Sequence, residues 1–162
     1  MATKNRKSGA GERFKDVARN RRALHEYEIT DRVEAGLVLQ GSEVKGLRDR
    51  GATISDAYVQ IRGGEAWLVG AHISEYDNAG YGGHDPRRTR KLLLHRREIE
   101  RLASALAEKG LSLVPLRLYF SGGRAKIELG LGRGKTLYDK RRTMAERDAK
   151  READRAIKAA RR

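Results

Sequence analysis

The chain contains no cysteine, which removes disulfide frameworks, thiolate zinc sites and thiol catalysis together. The histidines do not make up for this. His25, His72, His84 and His95 show neither i, i+4 pairing nor the close spacing with which one element gathers a metal, so no metal or cofactor is expected. Long apolar runs are also missing. Nothing approaches the roughly 20 residues that span a bilayer, and the basic N-terminal stretch leads into no apolar segment of the signal-peptide kind. A cytoplasmic location with no membrane partner is the expectation. Hydrophobic residues are few, 38% against 36% charged, so part of the chain is not expected to fold alone. At 162 residues there is room for one compact domain with appendages.

Positive charge is abundant, with a formal net charge of +14. Each Lys or Arg that neutralises a phosphate releases a condensed counterion, so a polyanion such as nucleic acid is the favoured partner. The charge is unevenly placed. Residues 1–22 hold eight basic groups (Lys4, Arg6, Lys7, Arg13, Lys15, Arg19, Arg21, Arg22) against Glu12 and Asp16, and residues 139–162 hold ten basic against five acidic. The ends thus carry +6 and +5, leaving +3 between them. Phe14 and Val17 are almost the only bulky apolar groups of the first segment. Residues 1–22 are therefore expected to form a mobile arm, 23–138 the folded body and 139–162 a basic tail.

Over residues 27–39 the odd positions Tyr27, Ile29, Asp31, Val33, Ala35, Leu37 and Leu39 alternate with mostly polar even ones. Period-two alternation predicts a half-buried strand, with Glu34 on its outward face and Gly36 at a bend or bulge. Residues 56–62 alternate again, Gly63-Gly64 supplies a tight turn, and 66–73 is the returning strand. Residues 111–120 and 125–131 repeat the design around Gly122-Gly123, with Pro115 marking an edge or bulge. In residues 95–109, Ile99, Leu102, Ala103 and Leu106 fall at helical spacing before Gly110. A shorter helix is predicted from Ser42, as N-cap, to Gly51. Short strands, hairpins and one packed helix fit a mainly β fold, a small closed antiparallel OB-like barrel with flanking helices.

The run Gly130 to Thr136, GLGRGKT, ends like a phosphate-gripping loop, but its register is wrong. A P-loop needs four residues between its glycines, and the residue five before Gly134 is Leu129. No recognisable set of Ser, His and carboxylate accompanies it, so no enzymatic activity is expected. Residues 76–90 are glycine-rich and then basic, with Arg87, Arg88, Arg90 and Lys91 after Asp85-Pro86. Such a loop suits contact with irregular single-stranded RNA, or is simply solvated. His25 stands in a basic segment with Asn20, Arg21, Arg22 and Tyr27, either as a stacking ring or as an ordinary structural histidine. In the tail, Glu146–Lys150 and Asp154–Lys158 are i, i+4 pairs worth about 0.2–0.5 kcal/mol each, which leaves an isolated helix marginal. The tail is disordered or marginally helical until it meets a polyanion, or it is a permanently solvated charged helix.

Several of these segments, in this order, resemble SsrA-binding proteins. They are NRRALHEY from Asn20, EAGLVLQGSEVKGLR from Glu34, SDAYVQI from Ser55, DPRRTRKLLL from Asp85, KGLSLVPLRLYF from Lys109 and GK…YDKR from Gly134 to Arg141. The resemblance implies a six-stranded OB-like barrel that binds the tRNA-like domain of transfer-messenger RNA, where the protein body takes the place of a missing anticodon arm. It further implies entry into stalled ribosomes with elongation factor Tu, the C-terminal tail lying in the empty mRNA channel beside the small-subunit decoding region. Asn20, Glu34 and Leu93 match family positions tied to RNA binding. An outward Glu34 is able to accept hydrogen bonds from base amino groups, whereas Leu93 either packs on RNA or belongs to the barrel. Gly134, Lys135, Asp139, Lys140 and Arg141 match junction residues implicated in ribosomal accommodation and tagging. Tyr138 occupies a ring-bearing position there, and Thr136 stands where the family often has a second lysine. The alternative reading is a structural ribosomal-RNA-binding protein, equally small and basic.

Overall fold

A computed structural model of the chain describes residues 15–75, 84–108 and 110–161, with the side chains of all of these except Lys15, Leu137, Tyr138 and Asp139. Along the described residues the elements are β1 (Lys15–Arg19), α1 (Arg21–Glu26), β2 (Tyr27–Leu37), α2 (Gly41–Asp49), β3 (Ala52–Thr53), β4 (Tyr58–Arg62) and β5 (Glu65–Val69). There follow β6 (His72–Ile73), β7 (Arg90–Leu93), α3 (Arg96–Ala107), β8 (Leu111–Ser121), β9 (Arg124–Gly134) and α4 (Leu137–Ala160). Seven strands form one antiparallel sheet in the order β1-β8-β9-β2-β7-β5-β4, and β3 pairs with β6 separately.

Both glycine-glycine hairpins form. Gly63 and Gly64 (φ 62° and 74°) join β4 to β5, and Gly122 and Gly123 (57° and 76°) join β8 to β9. Two consecutive positive φ angles are what the twist of a tight hairpin requires and what side chains with a Cβ resist. The second strand of the first hairpin is shorter than the expected 66–73. It stops at Val69, and His72–Ile73 crosses to pair with β3.

β2 carries a bulge between Ile29 and Asp31, and there the register against β9 shifts. An extra residue inverts which face each later side chain takes. Tyr27 and Ile29 therefore pack outward with Ala23, Val114 and Leu116, while Val33, Ala35 and Leu37 face the main core. The odd positions of residues 27–39 thus serve two cores, not one. The expected irregularity at Gly36 lies at Thr30 instead. Gly36 is straight strand, and its missing Cβ allows a close approach, since a Cβ there would lie 3.2 Å from Cβ of Leu93. The predicted bulge by Pro115 is present, between Pro115 and Arg117.

The main core joins Leu68, Leu92, Leu113, Leu118, Ile127 and Leu129 from the sheet to Leu47 of α2 and Leu102 of α3. Burying each such side chain stabilises by about 1.5–3 kcal/mol. α3 follows the predicted apolar spacing. α2 starts two residues earlier than read, because Gln40 is its N-cap, in a capping box with Glu43, and Ser42 lies inside the first turn. α4 is one 24-residue helix, exposed from Met144 to its end at Ala160.

Three expectations need correction. The five strands read from the residue patterns missed β1, read as arm, and β7, read as basic loop, and the main sheet has seven strands where the resemblance implies six. The mobile arm over 1–22 does not reach that far, since Lys15–Arg19 pair with β8 and Arg21–Glu26 are helical; residues 1–14 lie outside the described ones. Finally, no hydrogen-bonded ladder closes the sheet among the described residues. β4 comes within 8 Å of β8, but β1 occupies the edge of β8 from Arg117 to Phe120.

Candidate nucleic-acid interface

The outer face of the sheet, away from the main core, is a platform of linked charges. Register sets Glu34 opposite Glu128, and Glu128 opposite Arg117. Tyr119 donates its hydroxyl hydrogen to Oε2 of Glu34, and Nζ of Lys126 donates to Oε1 at 3.0 Å. The Arg117 guanidinium lies over the Tyr119 ring, 4.3 Å from its centre, and reaches Asp16 at 3.3 Å. Arg32 donates to Glu128 at 3.0 Å. The Tyr119 hydrogen bond, helped by Lys126, holds the Glu34 carboxyl below its ordinary range although partial burial opposes this. Burial and the same bond push the Tyr119 phenol up, so it stays a donor.

Glu34 is exposed, as the alternation predicts. It shares a groove of about 480 Å³ with Gly36, Leu93, His95, Glu98 and Lys126. Leu93, which sequence left between barrel and surface, is 56% exposed on the groove wall. Glu34 and Leu93 are thus brought together.

Asn20 is placed otherwise than read. It is 3% exposed, and its amide is fully used: Nδ2 donates to the carbonyls of Pro115 (2.8 Å) and Ile54 (3.4 Å), and Oδ1 accepts from the Ala23 N–H (3.0 Å). It caps α1 and fixes that helix on the outer face, presenting the exposed Arg21 and Arg22. Arg22 is bonded to Glu26 at 2.7 Å. Arg21 lines a cleft of about 310 Å³ with Arg19, Arg32, Arg117 and Leu24. His25 is half-buried in the last turn of α1.

The basic segment after Pro86 also divides. Arg90 is completely buried, with Nε bonded to Glu43, Nη1 to the Ala71 carbonyl (2.9 Å) and Nη2 to that of Pro86 (3.1 Å). Arg88 bonds the other oxygen of Glu43. Burial raises the Glu43 carboxyl, but its hydrogen bonds from Arg88, the Gln40 N–H and Arg90 outweigh this and hold it below the ordinary value. His84, nearby, bridges Ser42 (3.1 Å) and the Ile73 carbonyl (3.0 Å). Arg90, and largely Arg88, are therefore internal struts and not an RNA-facing pair. Lys91 pairs with Glu65 at 3.0 Å, and Arg87 stays exposed.

At the junction, Gly130 and Gly132 are strand residues. A Cβ on Gly130 would lie 2.8 Å from Leu116 Cδ1, and one on Gly132 2.6 Å from the Glu28 carbonyl. The P-loop look-alike is thus a strand whose glycines let Leu116 of β8 and the Glu28–Ile29 stretch of β2 pack closely. Gly134 pairs with Tyr27. Nζ of Lys135 donates to the Leu24 carbonyl (3.1 Å) and to Thr143 Oγ1 (3.0 Å), tying α4 to α1. Lys140 and the exposed Arg141 follow in α4; the side chains of Tyr138 and Asp139 lie outside the described ones.

Sequence reading missed Tyr119, Lys126, Arg117, Arg32 and Glu128. A signal existed for two of them, since counting outward from Gly122-Gly123 sets Tyr119 opposite Lys126. The pairing of β2 with β9, which brings Glu34 beside them, has no such local marker. Among the described residues no group of three or more His, Asp or Glu side chains could hold a metal, and no helix is long and apolar enough to cross a membrane.

Comparison with known proteins gives a consistent answer. The family model described as SmpB protein matches residues 17–159. An SsrA-binding protein of Streptomyces avermitilis is 54% identical over 159 residues, covering 95% of this chain and 90% of its own. One of Thermobifida fusca is 53% identical over 158 residues, covering 98% of each. Among solved structures, a chain from "tmRNA-SmpB: a journey to the center of the bacterial ribosome" is 45% identical, with a TM-score of 0.63, covering 74% of this chain and 85% of that one. With the family match spanning the described body and tail, and relatives more than half identical over nearly their whole length, the chain belongs to the SmpB family of SsrA-binding proteins.

Proposed function

We propose that the chain binds the tRNA-like domain of transfer-messenger RNA and delivers it to stalled ribosomes for trans-translation, acting as a binding protein and not an enzyme. Its SsrA-binding relatives and its likeness to a tmRNA-SmpB chain of the bacterial ribosome support this. On the molecule itself, the observation that carries the reading is the outer face. An exposed carboxylate and an exposed leucine share one groove there, beside the guanidinium groups of Arg19, Arg21 and Arg32. Arginines on phosphates set affinity and orientation, while groove groups read bases. Arg22, Arg87 and Lys91 add positive charge at the margins, and His25 stands with Arg21 and Arg22 on α1.

α4 is the segment for the empty mRNA channel at the decoding region, with Gly134, Lys135, Tyr138, Asp139, Lys140 and Arg141 as its hinge and ribosome contact. A helix that buries no apolar stripe is marginal alone and gains stability beside phosphates. Elongation factor Tu completes the delivery complex, and the site of action is cytoplasmic. The curled sheet is an OB-like barrel whose last gap, between β4 and β8, is filled by side-chain packing in place of a ladder.

Sequencing the RNA that copurifies with the chain from its own cells tests the function. Transfer-messenger RNA should be the enriched species, and the chain should leave purified, non-stalled ribosomes at moderate salt. Constitutive one-to-one retention there would instead mark a structural ribosomal protein.

A further inference from the structure

We propose that the groove at Glu34 and Lys126 reads the Watson–Crick edge of one unpaired guanine in the bound RNA, an inference that rests on the RNA-binding function proposed above. The first ground is the sign of the charge. On a chain of +14, this groove sets two carboxylates, Glu34 and Glu98, against the single ammonium of Lys126. A phosphate is disfavoured in such surroundings, whereas the amino and imino donors of a base are favoured.

The second ground is the order of the polar groups. Lys126 Nζ lies 3.0 Å from one oxygen of Glu34, and the Tyr119 hydroxyl holds the other. A carboxylate accepts about four hydrogen bonds, and the Glu34 side chain remains 49% exposed, so acceptor capacity is left on the groove side. The groove therefore presents a donor beside two acceptors. Guanine offers the complement, the O6 acceptor followed by the N1 and N2 donors. Adenine has one donor and one acceptor on that edge, cytosine one donor with two acceptors, and uracil one donor between two acceptors. None of these satisfies both carboxylate oxygens.

The third ground is shape. Leu93 is a 56% exposed apolar wall, seated closely over Gly36, where a Cβ would lie 3.2 Å from the Leu93 Cβ. A flat ring has an apolar surface to lie against while its edge meets Glu34. Tyr119 and Lys126 hold the carboxylate in place before RNA arrives, which limits the entropy cost of recognition.

The test titrates the full chain with uridine heptamers carrying one central guanine, inosine, adenine or cytosine, following the NMR shifts of Leu93 and Lys126. Inosine lacks only the N2 amino group. Guanine should bind at least about fivefold more tightly than inosine, the lower end of a bidentate contact. Glu34→Gln, which offers a single acceptor, should erase that difference. Lys126→Met should weaken guanine and inosine alike and keep their ratio; melts of both variants confirm the fold. Absent heptamer binding, equal binding of guanine and inosine, or a preference surviving Glu34→Gln overturns the proposal. A tRNA-like-domain transcript is titrated in parallel against an arbitrary transcript. If that preference stands while the heptamers are indistinguishable, only the guanine site fails; if it is lost, the underlying function fails.

Discussion

The hydroxyl of Tyr119 donates a hydrogen bond to Glu34 across 85 positions of sequence, joining β8 to β2 over the intervening β9. Tyr119 is 2% exposed and Glu34 faces outward, so a buried group orients a surface one. Glu34 is thereby a prearranged acceptor and not a freely rotating side chain.

Tyr119→Phe removes that bond and keeps the ring, and should cost about 1–2 kcal/mol at neutral pH. With the Tyr119 bond gone, the Glu34 carboxyl should move back toward its ordinary 4.5, although Lys126 and Arg117 still lower it. Because the folded value is the lower one, the bond's contribution is complete above the unfolded pKa and is lost as pH falls through the folded value. Thermal melts of the two proteins should therefore converge on acidification below about pH 4.5. Curves that stay parallel would show that the bond does not depend on the Glu34 charge.

Glu43 and Arg90 are both completely buried and ion-paired to each other, with the half-buried Arg88 as a second partner of Glu43. Glu43→Ala leaves a buried guanidinium uncompensated and should cost about 3–5 kcal/mol in urea unfolding. Replacing both residues with Met should cost less than Glu43→Ala alone, since neither charge then remains stranded. A double variant less stable than Glu43→Ala would contradict this.

Gly46 inverts the usual helix rule. Alanine is preferred to glycine within helices by about 1 kcal/mol, yet a Cβ on Gly46 would overlap the Ser74 carbonyl oxygen. Gly46→Ala should destabilise by about 2 kcal/mol or more, whereas Gly41→Ala in the same helix meets nothing within 4 Å and should be neutral or stabilising. Paired thermal melts decide the matter.

Truncation after Leu137 removes nearly all of α4 and leaves the outer face intact. Affinity for the tRNA-like-domain transcript should stay within about twofold, because the outer-face arginines proposed to meet phosphates lie outside α4, while tagging of stalled peptides should be abolished. Equal loss of both would refute the separation of body and helix.

The hairpins and α3 were legible because their causes are local. A positive-φ turn at Gly122-Gly123, or apolar residues at Ile99, Leu102 and Leu106, act within a few neighbours. The fates of Arg90 and Asn20 were not legible. Both stand in basic, polar stretches, and only the partners that tertiary structure supplies, Glu43 for one and the Pro115 and Ile54 carbonyls for the other, turn them inward.

The amino-acid sequence by itself determined the mainly β class, the two tight hairpins, the outward Glu34, the concentration of charge at the ends and the family. Tertiary structure alone decided that the sheet has seven strands, that the bulge at Thr30 divides β2 between two cores, and that Glu34, Lys126 and Leu93 meet in one groove. The reason is physical: alternation and turn chemistry are short-range, whereas strand order, register and the pairing of buried charges arise from contacts between residues far apart in the chain.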